Sequence, residues 1–80
     1  MYKLRYEADV EAVWNALPDK ARHELDAALI DVCRDPYATT RPHTNDGDVQ
    51  RVLTLKHTAT LLLLIEPGMR VRILRIRYLD

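Results

Sequence analysis

Tyr2, Leu4 and Tyr6 alternate with Lys3, Arg5 and Glu7, and this period of two predicts a half-buried strand over Tyr2–Glu7. The period then changes. Val10, Val13, Trp14 and Leu17 recur at the spacing of one helical stripe, with Asp9 placed to cap it and Pro18 to end it. Ala21, Leu25, Ala28, Leu29 and Val32 form a second stripe, opened by Asp19 and closed by Asp35-Pro36. Pro36 to Asp48 has no hydrophobic period and is rich in Pro, Thr, Asn, Asp and Gly, so it reads as a loop. Val49 to Lys56 returns to alternation, with Val52 and Thr54 on one face and Leu53 and Leu55 on the other. A turn follows near His57-Thr58, without the Gly or Asn that usually marks one.

The last segments are Leu61–Glu66 and Met69–Tyr78, joined by Pro67-Gly68. Pro at the first corner and Gly at the second predict a type II turn and an antiparallel hairpin. Leu61–Ile65 has no polar alternation, which predicts a central strand covered on both faces. The order is β-α-α-β-β-β. It specifies an α+β fold of one domain, residues 1–80: a small twisted sheet with a helical hairpin on one face. If the first strand lies beside the last, a right-handed crossover through the helices makes that pair parallel.

Composition narrows the setting. The apolar run at residues 61–65 is far too short to span a membrane, for which about 20 residues are needed. Nor does the N-terminal stretch have the apolar core of an export signal. With one cysteine, Cys33, no intrachain disulfide is possible, and a reducing cytoplasm fits. Cys33, His23, His43 and His57 lack the paired spacing of a zinc site, and no glycine-rich phosphate loop is present, so neither metal nor cofactor is expected. Net charge is zero but unevenly spread. Residues 1–35 hold five Lys/Arg against eight Asp/Glu, and residues 36–80 hold seven against four. The basic excess falls on the expected sheet. It reads either as protection of an exposed strand edge or as a face for a polyanion.

The opening "YKLRYEAD", the helical segment ending "LIDVCRDPY" and the closing "RVLTLKHTATLLLLIEPGMRVRILRIRYLD" together resemble the RelE/ParE toxin superfamily of bacterial toxin–antitoxin systems. The resemblance implies a toxin bound and silenced by a cognate antitoxin, with operator DNA contacted only through that antitoxin. RelE-like members are ribonucleases that cleave messenger RNA on the ribosome, so an mRNA endoribonuclease is implied. ParE-like members inhibit gyrase instead. The stretch His57-Thr58-Ala59-Thr60 has neither the Gly nor the Arg common where RelE-like enzymes enter their third strand. Positions matching the family pattern retain Arg51 and, at the end of the chain, Arg77 and Tyr78, which the resemblance marks as catalytic. A homologue that keeps the fold and acts only by protein binding is the alternative. An unrelated small α+β interaction domain is a third reading.

Cleavage through the RNA 2′-hydroxyl needs a base, an acid and cations around the crowded phosphorane. Lys56, His57 and Arg75 are the further candidates for RNA contact: His57 by its intrinsic pKa, the others by charge. Each has a plain structural reading too. His57 is a solvated turn residue, Arg75 and Arg77 guard an edge, and Tyr78 packs. On an ideal strand Arg75 and Arg77 share a face and Tyr78 points away, so a bulge or twist is needed to gather all three.

Overall fold

In the computed structural model, residues 1–43 and 49–79 are described. β1 (Lys3–Arg5) leads into α1 (Ala8–Ala16) and α2 (Asp19–Arg34), then α3 (Pro36–Thr39) and a two-residue β2 (Arg41–Pro42). β3 (Gln50–Thr54), β4 (Thr58–Ile65) and β5 (Arg70–Tyr78) follow as a meander. The sheet runs β1-β5-β4-β3-β2, with β1 parallel to β5 and each other pair antiparallel. The expected α+β order is present, and the first strand does lie parallel beside the last.

The core forms between α1, α2 and one face of the sheet. Val10, Leu17, Leu25, Leu29 and Val32 from the helical side join Leu53, Leu62, Leu64, Val71, Ile73 and Ile76 from the strands. Trp14 is half-buried against this cluster, because its indole Nε1–H donates to Asp26 Oδ1 at 2.7 Å at the surface. Burial pushes the Cys33 thiol pKa up, which keeps it a protonated packing group.

Three expectations change. Asp9 and Asp19 do not cap their helices: α1 begins at Ala8 and α2 at Asp19, each without a side-chain cap. Both carboxylates sit in the first turn, where they face the positive helix end, and Asp19 pairs with Arg22. The stretch after Pro36 is not all loop. Asp35 ends α2 and accepts from Ala38 N at 3.2 Å, so one residue closes one helix and caps the next. Thr40 N–H donates to Pro36 O at 3.2 Å, and Arg41–Pro42 pairs with β3. The rest of that stretch, residues 44–48, lies outside the described residues.

At Pro67-Gly68 the glycine takes the positive φ that the expected turn requires of it. The loop is Glu66–Met69, with a cis Glu66–Pro67 bond and both Gly68 (φ 114°) and Met69 (φ 49°) at positive φ. Ile65 and Arg70 close the ladder above it. Finally, β4 is central, but helices cover only one of its faces. Thr58, Thr60, Leu62 and Leu64 are buried beneath them, whereas Ala59, Leu61, Leu63 and Ile65 are half-buried on the other side.

The β3–β4 turn spans Leu55–His57. It forms without Gly or Asn because α2 helps to hold it: His57 N–H donates to Glu24 Oε1 at 3.1 Å, and Leu55 N–H to Thr58 O at 2.8 Å. Thr58 and Thr60 are fully buried, and neither hydroxyl has a hydrogen-bond partner among the described residues. An unsatisfied buried hydroxyl costs about 1–3 kcal/mol. Thr60→Val should therefore raise stability by about 1 kcal/mol in denaturant titration, and a loss of stability would show the hydroxyl to be satisfied.

At the other end of the sheet the Tyr2 phenol donates to the Glu66 carboxylate, which raises its pKa from 10.0 to about 12. The fold thus favours the neutral phenol. The stabilisation is complete below pH 10 and is lost as pH rises through about 12. In an alkaline absorbance titration one of the four tyrosines should ionise last, and Glu66→Gln should bring it back towards the others. Simultaneous ionisation of all of them near pH 10 in the parent would contradict this contact.

Candidate nucleic-acid interface

Residues paired across a ladder project to the same side of the sheet. The register therefore defines what the face away from the helices displays. One row runs Lys3, Arg70, Ile65; the next Arg5, Arg72, Leu63, Gln50. A third runs Arg75, Leu61, Val52, Arg41, and the last Arg77, Ala59, Thr54. No helix among the described residues covers this face. Its centre is an apolar stripe from β4, flanked by the cations of β1 and β5 on one side and, among the described residues, by Arg41 on the other. The aliphatic stems of arginines beside Leu61 and Leu63 account for the half-burial of those leucines without a helix above them.

A β-bulge builds this face. Leu62 pairs with Ile73 but Leu61 pairs with Arg75, so Leu74 is an extra residue in β5. Before the bulge, Arg70 and Arg72 point outward and Val71 inward. After it, Arg75 and Arg77 point outward and Ile76 inward. In a regular strand that kept Leu74 without the bulge, the second arginine pair would face the core. Deleting Leu74 leaves "RVRIRIRY", an unbroken alternation in which every remaining residue keeps its face. That deletion should fold, at a cost of about 1 kcal/mol for one half-buried side chain. Deleting Ile73 as well would again break the phase and should unfold the chain. Equal melting temperatures for the two deletions would contradict this register.

The sequence candidates fall into two groups. Lys56, His57, Arg75, Arg77 and Tyr78 gather at one end, where the β3–β4 turn meets the end of β5. Leu79 N–H donates to His57 O at 2.8 Å there, and Thr58 pairs with Tyr78. The bulge precedes this group and does not turn Tyr78 onto the open face. Tyr78 shares the side of Thr58 and is 46% exposed at the rim. Arg51 is not brought to the others. It projects to the helix side of β3 and is 6% exposed. Its Nε donates to Thr40 Oγ1 at 2.9 Å, and Nη2 to Thr40 O at 2.8 Å and Tyr37 O at 3.3 Å. Its guanidinium also lies 5.2 Å from the Tyr37 ring centroid. Those contacts tie β3 to α3.

Sequence reading passed over Lys3, Arg5, Arg41, Arg70 and Arg72. The signal for the arginines of β5 was present: in "RVRILRIR" the apolar and the cationic positions slip phase together, as a single inserted residue requires. Position also decides what edge protection can explain. Arg70 and Arg72 lie between β1 and β4, inside the sheet, where there is no edge to guard. Arg75 and Arg77 lie beyond the paired part of β1, where charge also discourages strand addition.

No described group of His, Cys, Asp and Glu side chains is arranged to hold a metal ion. No described helix is long and apolar enough to cross a membrane.

By sequence, the chain matches no family model and no curated protein. Solved structures do match. A chain of the toxin–antitoxin complex RelBE2 from Mycobacterium tuberculosis superposes with a TM-score of 0.85 at 16% identity, covering 98% of each chain. The isolated E. coli RelE toxin gives 0.80 at 17% identity, covering 100% of this chain and 86% of that one. A chain of the intact E. coli RelBE complex gives 0.80 at 17% identity, covering 100% and 99%. The helical hairpin, the parallel β1–β5 pair and the meander behind this basic face are thus the fold of the RelE toxins.

Proposed function

We propose that this protein is a RelE-like toxin that acts on RNA through the open face of its sheet and is neutralised by a cognate antitoxin. The observation that carries the reading is the alignment of Arg70, Arg72, Arg75 and Arg77 on that face by the Leu74 bulge, on the fold of the RelE toxins. Arginine suits phosphate because its planar fork makes two parallel hydrogen bonds. The uncharged stripe between the cations offers a surface for bases. In this reading the end bearing Lys56, His57 and Arg77 is where a phosphodiester is cut, with messenger RNA on the ribosome as substrate. Arg77 stabilises the phosphorane charge, and His57 or Tyr78 moves the proton.

One feature supports a second reading, binding without cleavage. The strand at the centre of the face, β4, presents only Ala59, Leu61, Leu63 and Ile65 there, with no group that stabilises charge or transfers a proton. Such a stripe suits a protein partner, whether antitoxin or a gyrase-type target. Controlled expression in a bacterial host separates the two, with growth and messenger RNA integrity followed together. The ribonuclease reading expects arrest with cut messages, reversed by co-expressed antitoxin. Arrest with intact messages favours the second reading, and unimpaired growth contradicts a toxin of either kind.

A further inference from the structure

At the opposite end of the face from His57, β1 and β5 place cation against cation. Lys3 stands opposite Arg70, and Arg5 opposite Arg72. Like charges directly opposed on neighbouring strands destabilise a sheet. Among the described residues one carboxylate answers them directly: Glu7, whose Oε1 accepts from Arg72 at 2.7 Å, an exposed pair of small value. The other nearby carboxylate, Glu66, accepts from Tyr2.

Several of these side chains also border an open recess. A pocket of about 270 Å³ is lined by Arg5, Arg70 and Arg72 with Tyr6, Glu7 and Ile65. Gly68 lies against one of its lining side chains, Arg70. A Cβ there would lie 3.2 Å from Arg70 Nη2, so the missing side chain lets the guanidinium rest on the turn. Three guanidinium groups around one recess, at a cost to the sheet and with Arg70 and Arg72 away from any edge, are explained by an anion that binds between them.

We propose that this recess is a phosphate-binding subsite, separate from the Lys56–Arg77 end. It holds one phosphate group of a bound RNA strand, and to that extent it rests on the function proposed above. Arg5, Arg70 and Arg72 bind the phosphate. Glu7 competes with it for Arg72, so the subsite is partly occupied by the protein's own carboxylate when empty of ligand.

Competition of this kind gives variants of opposite sign. Inorganic phosphate, titrated into the full chain, should shift the Nε–Hε resonances of Arg5, Arg70 and Arg72 before those of Arg75 and Arg77. Arg72→Gln should weaken phosphate binding about tenfold or more, and Glu7→Gln should tighten it. Arg70→Gln should weaken it while raising the melting temperature, since it removes a like-charge pair. For a short single-stranded RNA, each arginine lost should lower the slope of log K against log salt by about 0.7. Phosphate shifts confined to Arg75 and Arg77, or affinity unchanged in Glu7→Gln, overturns the subsite. So does an acidic peptide that seats there where phosphate does not. If RNA binds but Arg70→Gln/Arg72→Gln leaves its slope unchanged, the subsite fails and the RNA reading stands. If phosphate seats in the recess but RNA does not bind, the subsite stands and the RNA reading fails.

Discussion

Arg51→Ala should destabilise the fold by at least about 3 kcal/mol and should not act through the open face of the sheet. The side chain is 6% exposed, and its removal strips donors from Thr40 O, Thr40 Oγ1 and Tyr37 O. Each buried acceptor left unsatisfied costs about 1–3 kcal/mol, and truncating a buried side chain adds the cost of the space it filled. In a domain of this size the loss should lower the melting temperature by about 10–20 °C. Arg51→Lys keeps the charge but not the fork, so it should recover only part of the loss. The resemblance to RelE-like enzymes marked Arg51 as catalytic. A variant that melts like the parent but no longer acts on RNA would restore that role and contradict the structural one.

Replacing Arg75 and Arg77 together by Gln should weaken binding of single-stranded RNA about 100-fold or more while leaving the melting temperature within a few degrees. Both side chains are exposed and neither packs in the core. A hydrogen bond to a charged group contributes about 1.5–3 kcal/mol, and two such contacts set this scale. The slope of log K against log salt should fall by about 1.4, the share of two phosphate contacts on a single strand. If Arg77 also stabilises the phosphorane, Arg77→Gln alone should lower cleavage more than it lowers binding. Equal losses in both would make Arg77 a binding residue only. Unchanged RNA affinity in the double variant would assign the two arginines to edge protection.

What the sequence disclosed, and what it hid, follows from the range of the forces involved. The stripes at Val10, Trp14 and Leu17 and at Leu25, Leu29 and Val32 are local periodicities, so both helices were legible. The β-α-α-β-β-β order and the parallel β1–β5 pair followed from chirality and connection length. The β3–β4 turn was harder, because the Glu24 carboxylate that supports it comes from α2, more than 30 residues earlier. The short helix α3 hid in a polar segment, since Asp35, Thr40 and Arg51 stabilise it through side chains rather than through an apolar stripe. Arg51 shares the alternation of Leu53 and Leu55, which does not by itself say which side of the sheet that face takes. Its register opposite Leu62 of β4 and its contacts to Tyr37 and Thr40 show that it points inward. The site was half legible for a different reason. Arg75 and Arg77 alternate plainly, but their alignment with Arg70 and Arg72 depends on a bulge, which exists only in the register between two strands.

The proposed coverage of the open face by RNA can be tested directly from side-chain methyl resonances of the full chain during titration with a short single-stranded RNA. Leu61, Leu63 and Ile65 lie on the open face, whereas Leu53, Leu62 and Leu64 lie under the helices. The expected result is that the methyls of Leu61, Leu63 and Ile65 shift, together with the Nε–Hε signals of the β5 arginines, while those of Leu53, Leu62 and Leu64 stay in place. Shifts confined to the helical side, or no saturable shift on the open face at low salt, would contradict RNA binding by this surface.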